Sequence, residues 1–179
     1  MNGQERLAEQ SRQMLVDALF TLLADNHYGE ITVTDLTTQA QLARRTFYRS
    51  FANKDDLLAF YGNRLLRQYQ SARQANLTTT PDLQTAMTFF FQFWWPERQR
   101  LRLLIRQNLF MGLLTQSRVA LTPQDLGLNP VSTTAYLTNF LIGGLWTTLN
   151  AWMAQETPEP PAVIAQTLLQ ELSQLPTQP

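Results

Sequence analysis

Arg44, Arg45, Tyr48 and Arg49 crowd into six residues of a 179-residue chain whose formal net charge is zero. A guanidinium can give two hydrogen bonds to guanine O6 and N7, and a phenol can donate to a phosphate oxygen. On a helix advancing about 100° per residue, with Arg44 at zero, Tyr48 falls near ~40°, Arg45 near ~100° and Arg49 near ~140°. Phe47 falls near ~300°, on the other side, where it can anchor the helix to a core. Lys54, at the opening of the next helix, is placed to meet a backbone phosphate together with that helix's amides. Taken alone, three arginines on a helix face are an ordinary solvated surface. The elements around them decide between the two readings.

The composition first removes other chemistries. Hydrophobic residues make up 44% of the chain, enough for a core. With no cysteine and one histidine, His27, thiol catalysis, disulfides and a His-rich metal site are excluded. No glycine loop of the phosphate-cradling kind is present, and Asp55-Asp56 reads as a helix start, so neither a catalytic residue nor a cofactor is expected. The polar N-terminus is no secretory signal, which makes the cytoplasm the expected location. Leu126 to Gln155 carries no charge and is long enough to span a bilayer. It also holds Thr138, Asn139, Thr147, Thr148 and Asn150 and lacks flanking Lys and Arg, so a helix buried in an assembly is the better reading and no membrane is expected.

Helical spacing dominates. Leu15, Ala18, Leu19, Leu22 and Leu23 follow i, i+3, i+4, i+7, i+8, and the helix fades near "NHYGE". Thr32 can cap a short helix over about Val33 to Ala40, with Asp35 in its first turn. A second short helix runs from Arg44 to about Ser50. Asn53 and Asp56 open a long helix near the capping-box pattern. "NLTTTP", residues 76 to 81, is the best boundary; two or three helices broken near Pro96 follow, then one from about Val131 to Gln155 and a last one in "AVIAQTLLQEL". Strand alternation is absent, and the fold class is all-α. A short helix, a turn and an arginine helix, preceded by a longer helix, form a helix-turn-helix whose second member enters a major groove.

"TVTDLTTQAQLARRTFYRSFANKDDLLAFY" closely resembles the N-terminal DNA-binding segment of the TetR family of transcriptional regulators. The resemblance rests on Thr32, Thr46-Phe47-Tyr48, Phe51 and Asn53-Lys54-Asp55-Asp56-Leu57 and covers about residues 10 to 62. It implies a helix-turn-helix domain over 1–62, whose long connecting helix starts at about 54, and a helical ligand-binding and dimerisation domain over 63–179. It implies DNA contacts from Thr32, Arg44, Arg45, Thr46, Tyr48, Arg49 and Lys54. Two residues depart from the pattern. Gln41 stands where the family has glycine, and must adopt a left-handed conformation at about 1 kcal/mol or alter the turn. Ala43 stands where Ser or Thr would cap the arginine helix, a loss of about 1 kcal/mol.

In the C-terminal part, "FLIGGLWTTLNAWMAQETPEPPAVIAQTLLQEL" more weakly resembles the last two helices of the dihydroxyacetone kinase regulator-like subgroup. Leu137, Leu141, Leu145 and Leu149 form an i+4 ridge, with Phe140, Gly144 and Thr148 beside it. A helix apolar nearly all round needs partners on both sides. A homodimer seam is therefore expected at Leu137, Leu141, Gly144, Leu145, Trp152 and Leu168. The aromatic run "TFFFQFWW" supplies candidates for a ligand pocket, Phe90, Trp94 and Phe110, against the plain alternative of a helical core. The arginines of "RQRLRLLIR" read either as a solvated face or as contacts to an anion or to the DNA-binding domain.

The expected function is a dimeric DNA-binding regulator on an inverted-repeat operator, a repressor relieved by a small molecule. The alternative is an adaptor on the same scaffold that docks on another regulator.

Overall fold

The computed structural model describes residues 3–77, 81–115, 122 and 134–174, and among them nine α-helices and no strand. They fall into two compact units. The first comprises residues 3–65 and 106–115, the second 66–105 together with 134–174.

In the first unit, α1 (Gly3–Leu23) buries Leu15, Ala18, Leu19 and Leu23 of the stripe that its spacing predicts, leaves Leu22 half-buried, and buries Val16 and Phe20 as well. It begins well before Leu15, on a polar turn that its i, i+3 pair Glu9–Arg12, 2.7 Å apart, supports. The short helices α2 (Val33–Gln39) and α3 (Arg44–Tyr48) pack on α1. The first half of the long helix α4 (Lys54–Asn76) completes the core, with Tyr61 fully buried and edge-on to Phe20 at 4.7 Å. Asn53 caps α4 by accepting from the Asp56 N–H at 2.9 Å, while the Asp56 carboxylate reaches back to the Ala52 N–H at 3.0 Å.

The same unit takes in a segment that the sequence reading assigns to the C-terminal domain. After Asn108, left-handed at φ 56°, comes α7 (Phe110–Thr115). Its Leu113 lies against Gly62, where a Cβ would stand 2.6 Å from Leu113 Cγ. Only glycine lets α4 and α7 approach this closely, which offsets its poor helix propensity.

The second unit is an aromatic core. Tyr69 on α4 meets Phe89, Phe90, Phe93 and Trp94 of α5 (Leu83–Trp94) within 6 Å, ring centre to ring centre. A 3-10 turn, Trp95–Glu97, holds Pro96 and leads into α6 (Arg98–Arg106). On α8 (Ala135–Ala154), Trp146 packs edge-on to Phe90 and Trp94 at 5.3 Å each. Trp152 of the same helix packs on Phe91 at 5.4 Å and stacks on Trp95 at 5.3 Å. The last helix, α9 (Pro161–Ser173), packs on α5. Within the described residues α8 begins at Ala135, where the Thr134 hydroxyl accepts from the Leu137 N–H at 3.2 Å; the expected start at Val131 lies outside them. Among the described residues no helix is long and apolar enough to cross a membrane.

Candidate nucleic-acid interface

Two caps and one strained residue set the pose of the arginine helix. At the start of α2, the Thr32 N–H donates to Asp35 Oδ2 at 2.8 Å and the Asp35 N–H donates to Thr32 Oγ1 at 3.2 Å, a reciprocal capping box. The Thr32 hydroxyl also donates to Asp35 Oδ2 at 2.6 Å. That hydrogen bond, first among the causes, holds the exposed Asp35 carboxyl below its ordinary pKa. α2 ends in a Schellman motif: Leu42 N–H donates to Thr37 O at 2.9 Å and Gln41 N–H to Thr38 O at 3.1 Å. Gln41 takes the left-handed position at φ 54°. Of the two options open to it, the chain keeps the turn and bears the strain, about 1 kcal/mol against glycine.

α3 follows with Ala43 at its N-cap and no side-chain cap bond. Phe47 is completely buried, edge-on to Tyr48 at 5.5 Å and tilted on Phe51 at 5.6 Å. This anchor leaves Arg44, Arg45, Tyr48 and Arg49 exposed and Thr46 half-buried. Arg44 lies over the Tyr48 ring at 5.9 Å, and its Nη2 donates weakly to Tyr48 Oη at 3.4 Å. Among the described residues none of the three arginines pairs with a carboxylate. The face has the length, charge and free donors to read base edges in a major groove.

Two expected contacts have other work. The Lys54 ammonium donates to the carbonyls of Tyr28 at 2.5 Å, Gly29 at 3.2 Å and Ile31 at 2.9 Å, and sits 4.6 Å from the Tyr28 ring centre. An ammonium has three donors, and all three are engaged inward, so Lys54 in this conformation is a clamp on the α1–α2 connection rather than a phosphate ligand. Thr32 likewise has its hydroxyl proton engaged by Asp35.

The clamp has a second half that the sequence reading missed. Tyr28 Oη donates to Asp55 Oδ1 at 2.6 Å, and the Tyr28 N–H donates to Gln107 Oε1 at 3.2 Å. Gln107 Nε2 returns a bond to Asn26 O at 3.3 Å. Burial first, then the bond to and charge of Asp55, push the Tyr28 phenol well above its ordinary pKa. These partners lie 79 and 81 residues apart in the chain, which no local pattern signals.

In the second unit a cavity of about 140 Å³ opens among α4, α5, α8 and α9, lined by carbon from Tyr69, Met87, Phe90, Leu141, Leu145 and Leu168. Of the expected pocket residues, Phe90 lines it. Trp94 is core, 1% exposed and stacked on Tyr69, and Phe110 is buried in the other unit. Of the expected seam residues, Leu137 is exposed at 46% and Gly144 is exposed; Leu141, Leu145 and Leu168 are half-buried. Trp152 is core: it is 1% exposed, and its Nε1 donates to Glu159 O at 3.0 Å. Tyr136 and Phe140, 89% and 73% exposed, extend the apolar strip. Arg102 and Arg98 of "RQRLRLLIR" have structural partners. Arg102 donates to the Met153, Gln155 and Glu156 carbonyls at the C-terminus of α8, where a cation is favoured. Arg98 bonds the Trp95 carbonyl at 3.1 Å and lies over its ring at 4.8 Å.

A capped short helix, a tight turn and an anchored helix with an arginine face define a helix-turn-helix DNA-binding domain. Residues 15–59 match the family described as bacterial regulatory proteins, tetR family. That segment, about a quarter of the chain, is thereby a DNA-binding domain of the tetR type. The fold is similar to that of a TetR transcriptional regulator from Streptococcus agalactiae (TM-score 0.63, 18% identity, 94% of this chain and 97% of that one). It is also similar to the transcriptional regulator FadR from Bacillus subtilis in complex with stearoyl-CoA (TM-score 0.60, 18% identity, 90% and 97%). A third similar structure is the fatty acid degradation regulator FadR from Bacillus halodurans (TM-score 0.61, 15% identity, 94% and 97%). No curated protein matches the chain.

Proposed function

We propose that the protein is a homodimeric TetR-type repressor, released from an inverted-repeat operator by a small molecule held in the cavity of its second unit. The observation that carries the DNA-binding half is the exposed face of Arg44, Arg45, Tyr48 and Arg49 on a helix pinned by the fully buried Phe47. Arg45 and Arg49 read bases, Tyr48 and Arg44 hold phosphate, and Thr46 reaches a thymine methyl at the edge of the face. Residues 1–62 act as the DNA-binding domain and 63–179 as the regulatory one. The exposed strip of Tyr136, Leu137, Phe140 and Gly144 on α8, with Val163 and Leu172 on α9, supports pairing of these two helices with those of a second copy. Release by a ligand is supported by the apolar cavity and by the complex of FadR from Bacillus subtilis with stearoyl-CoA.

Selection of binding sites from random duplex DNA by the full chain tests the reading. An enriched inverted repeat, with half-sites about one helical turn or more apart, is the expected result. Recovery of no enriched sequence would overturn it in favour of an adaptor docking on another regulator.

A further inference from the structure

Residues 44 to 49 read Arg-Arg-Thr-Phe-Tyr-Arg, with no Asn, Gln, Asp or Glu among them. The four exposed side chains of this run, Arg44, Arg45, Tyr48 and Arg49, are therefore rich in donors and poor in acceptors. A guanidinium has no acceptor at all. The Tyr48 hydroxyl can accept as well as donate, but Arg44 Nη2 already approaches it at 3.4 Å. In the major groove only guanine shows two acceptors side by side, N7 and O6. Adenine sets a donor beside its acceptor, cytosine shows a donor, and thymine shows one acceptor beside its methyl. A guanidinium thus makes two bonds to guanine and one or none to each other base.

The three arginines are not equivalent. Arg44 lies over the Tyr48 ring at 5.9 Å as well as against its hydroxyl. Among the described residues the side chains of Arg45 and Arg49 have no hydrogen bond, ion pair or ring contact. These two also share a face. Arg49 follows α3 directly with helical backbone angles, φ −69° and ψ −25°, and its N–H donates to Arg45 O at 3.1 Å. Four residues on a helix set the two about 40° apart around the axis and about 6 Å apart along it. A base-pair step is about 3.4 Å, and a zinc-finger helix reads successive bases with residues about three apart. Both scales place the two guanidiniums one to two base-pair steps apart.

We infer that Arg45 and Arg49 each grip one guanine, so that every operator half-site carries two G·C pairs one or two steps apart, and that Arg44 reads no base. The spacing holds whichever strand each guanine lies on. The inference names the DNA that the proposed regulator selects and rests on that reading.

Site selection from random duplex DNA, run in parallel with the full-length wild type, Arg44→Ala, Arg45→Ala and Arg49→Ala, tests it. The wild type enriches half-sites holding the two G·C pairs. Arg45→Ala loses the preference at one pair and Arg49→Ala at the other, each by about 5- to 150-fold against the other bases. Arg44→Ala keeps both preferences and binds all sites more weakly. Gel shifts on the selected operator with deazaguanine, which has carbon in place of N7, supply a second readout. Its substitution for either guanine weakens wild-type binding about fivefold or more and leaves the affinity of the matching alanine variant unchanged. Should a variant fail to fold, the deazaguanine effect on the wild type decides. An enriched sequence without two G·C pairs at that spacing would overturn the inference alone. So would preferences that survive in Arg45→Ala and Arg49→Ala, a preference lost in Arg44→Ala, or wild-type binding indifferent to deazaguanine. Recovery of no enriched sequence by the wild type overturns the DNA-binding reading itself, and the inference with it.

Discussion

Replacing Lys54 by methionine keeps the aliphatic stem and removes the ammonium. The carbonyls of Tyr28, Gly29 and Ile31 then lose donors at 2.5, 3.2 and 2.9 Å. The first and third contacts are part-buried, so water replaces them poorly, whereas the bond to Gly29 is exposed and contributes little. A hydrogen bond to a charged group contributes about 1.5–3 kcal/mol net, and the cation over the Tyr28 ring about 0.5–1 kcal/mol. Contacts sharing one ammonium are not additive, which brings the expected loss to about 2–4 kcal/mol. Urea denaturation of the wild type and Lys54→Met, followed by far-ultraviolet circular dichroism, measures it. The salt dependence of operator binding supplies a second, independent reading. A clamp leaves the slope of log K against log salt unchanged, while a lost phosphate contact makes it shallower by about 0.9. An unchanged urea midpoint together with a shallower slope would refute the clamp and restore Lys54 to the DNA interface.

Arg45→Ala and Arg49→Ala each weaken operator binding by about 1–3 kcal/mol in gel-shift titrations, with discrimination against mismatched operators relaxed as well. Gln41→Gly relieves the left-handed residue and Ala43→Ser supplies the missing cap; each stabilises the protein by about 0.5–1 kcal/mol in urea melts. The Asp35 carboxyl is held below its ordinary value of 3.8 by Thr32. Its contribution is therefore present above the unfolded value and lost as pH falls through the folded one. The gap in urea midpoint between the wild type and Asp35→Asn at neutral pH shrinks when both are measured well below pH 3.8. Phe140→Glu, at a residue 73% exposed, leaves the folded subunit intact but costs several kcal/mol of association if its charge is buried at a seam; sedimentation at micromolar concentration shows it as a shift to monomer.

What the sequence made legible was local. The stripe from Leu15 to Leu23, the Thr32–Asp35 cap, the uncapped Ala43 and the opposition of Phe47 to the arginines are all short-range consequences of helical period and side-chain chemistry. Each is found in the helices described. What stayed illegible depends on partners distant in the chain. Nothing near Lys54 announces that the carbonyls of residues 28, 29 and 31 will capture its ammonium. Nothing near Gln107 announces that it will grip Asn26 and Tyr28, or that Leu113 will need a glycine at 62. The aromatic run fails for a different reason. Trp94 and Phe90 are spaced like neighbours on one face, yet a helix with aromatic residues on several faces lets its packing choose which is core and which lines a space. Here Trp94 is taken up by Tyr69 and Trp146, and Phe90 is left at the cavity wall. Trp152 is displaced from the expected seam in the same way, by Trp95 and Phe91.

The placement of acids explains how a chain of zero net charge presents a basic surface. Eight carboxylates precede residue 60, against which Arg6, Arg12 and Lys54 and the three arginines of α3 are the only cations. Most of the eight have local duties. Glu9 holds Arg12, Asp17 accepts from Gln13, Asp35 closes the α2 capping box, Asp55 receives the Tyr28 phenol and Asp56 binds the Ala52 N–H. Lys54 is withdrawn into the carbonyls beneath it. The charge facing outward at α3 is the guanidinium of Arg44, Arg45 and Arg49, none of which pairs with a carboxylate among the described residues. Such a surface attracts DNA only at close range. Long-range, sequence-blind affinity scales with the number of phosphates neutralised, and it is kept small by the same acids that cap the helices. On the proposed reading, discrimination between sequences falls to the few donors that reach base edges, and the arginine helix rather than the protein's overall field sets the choice of DNA.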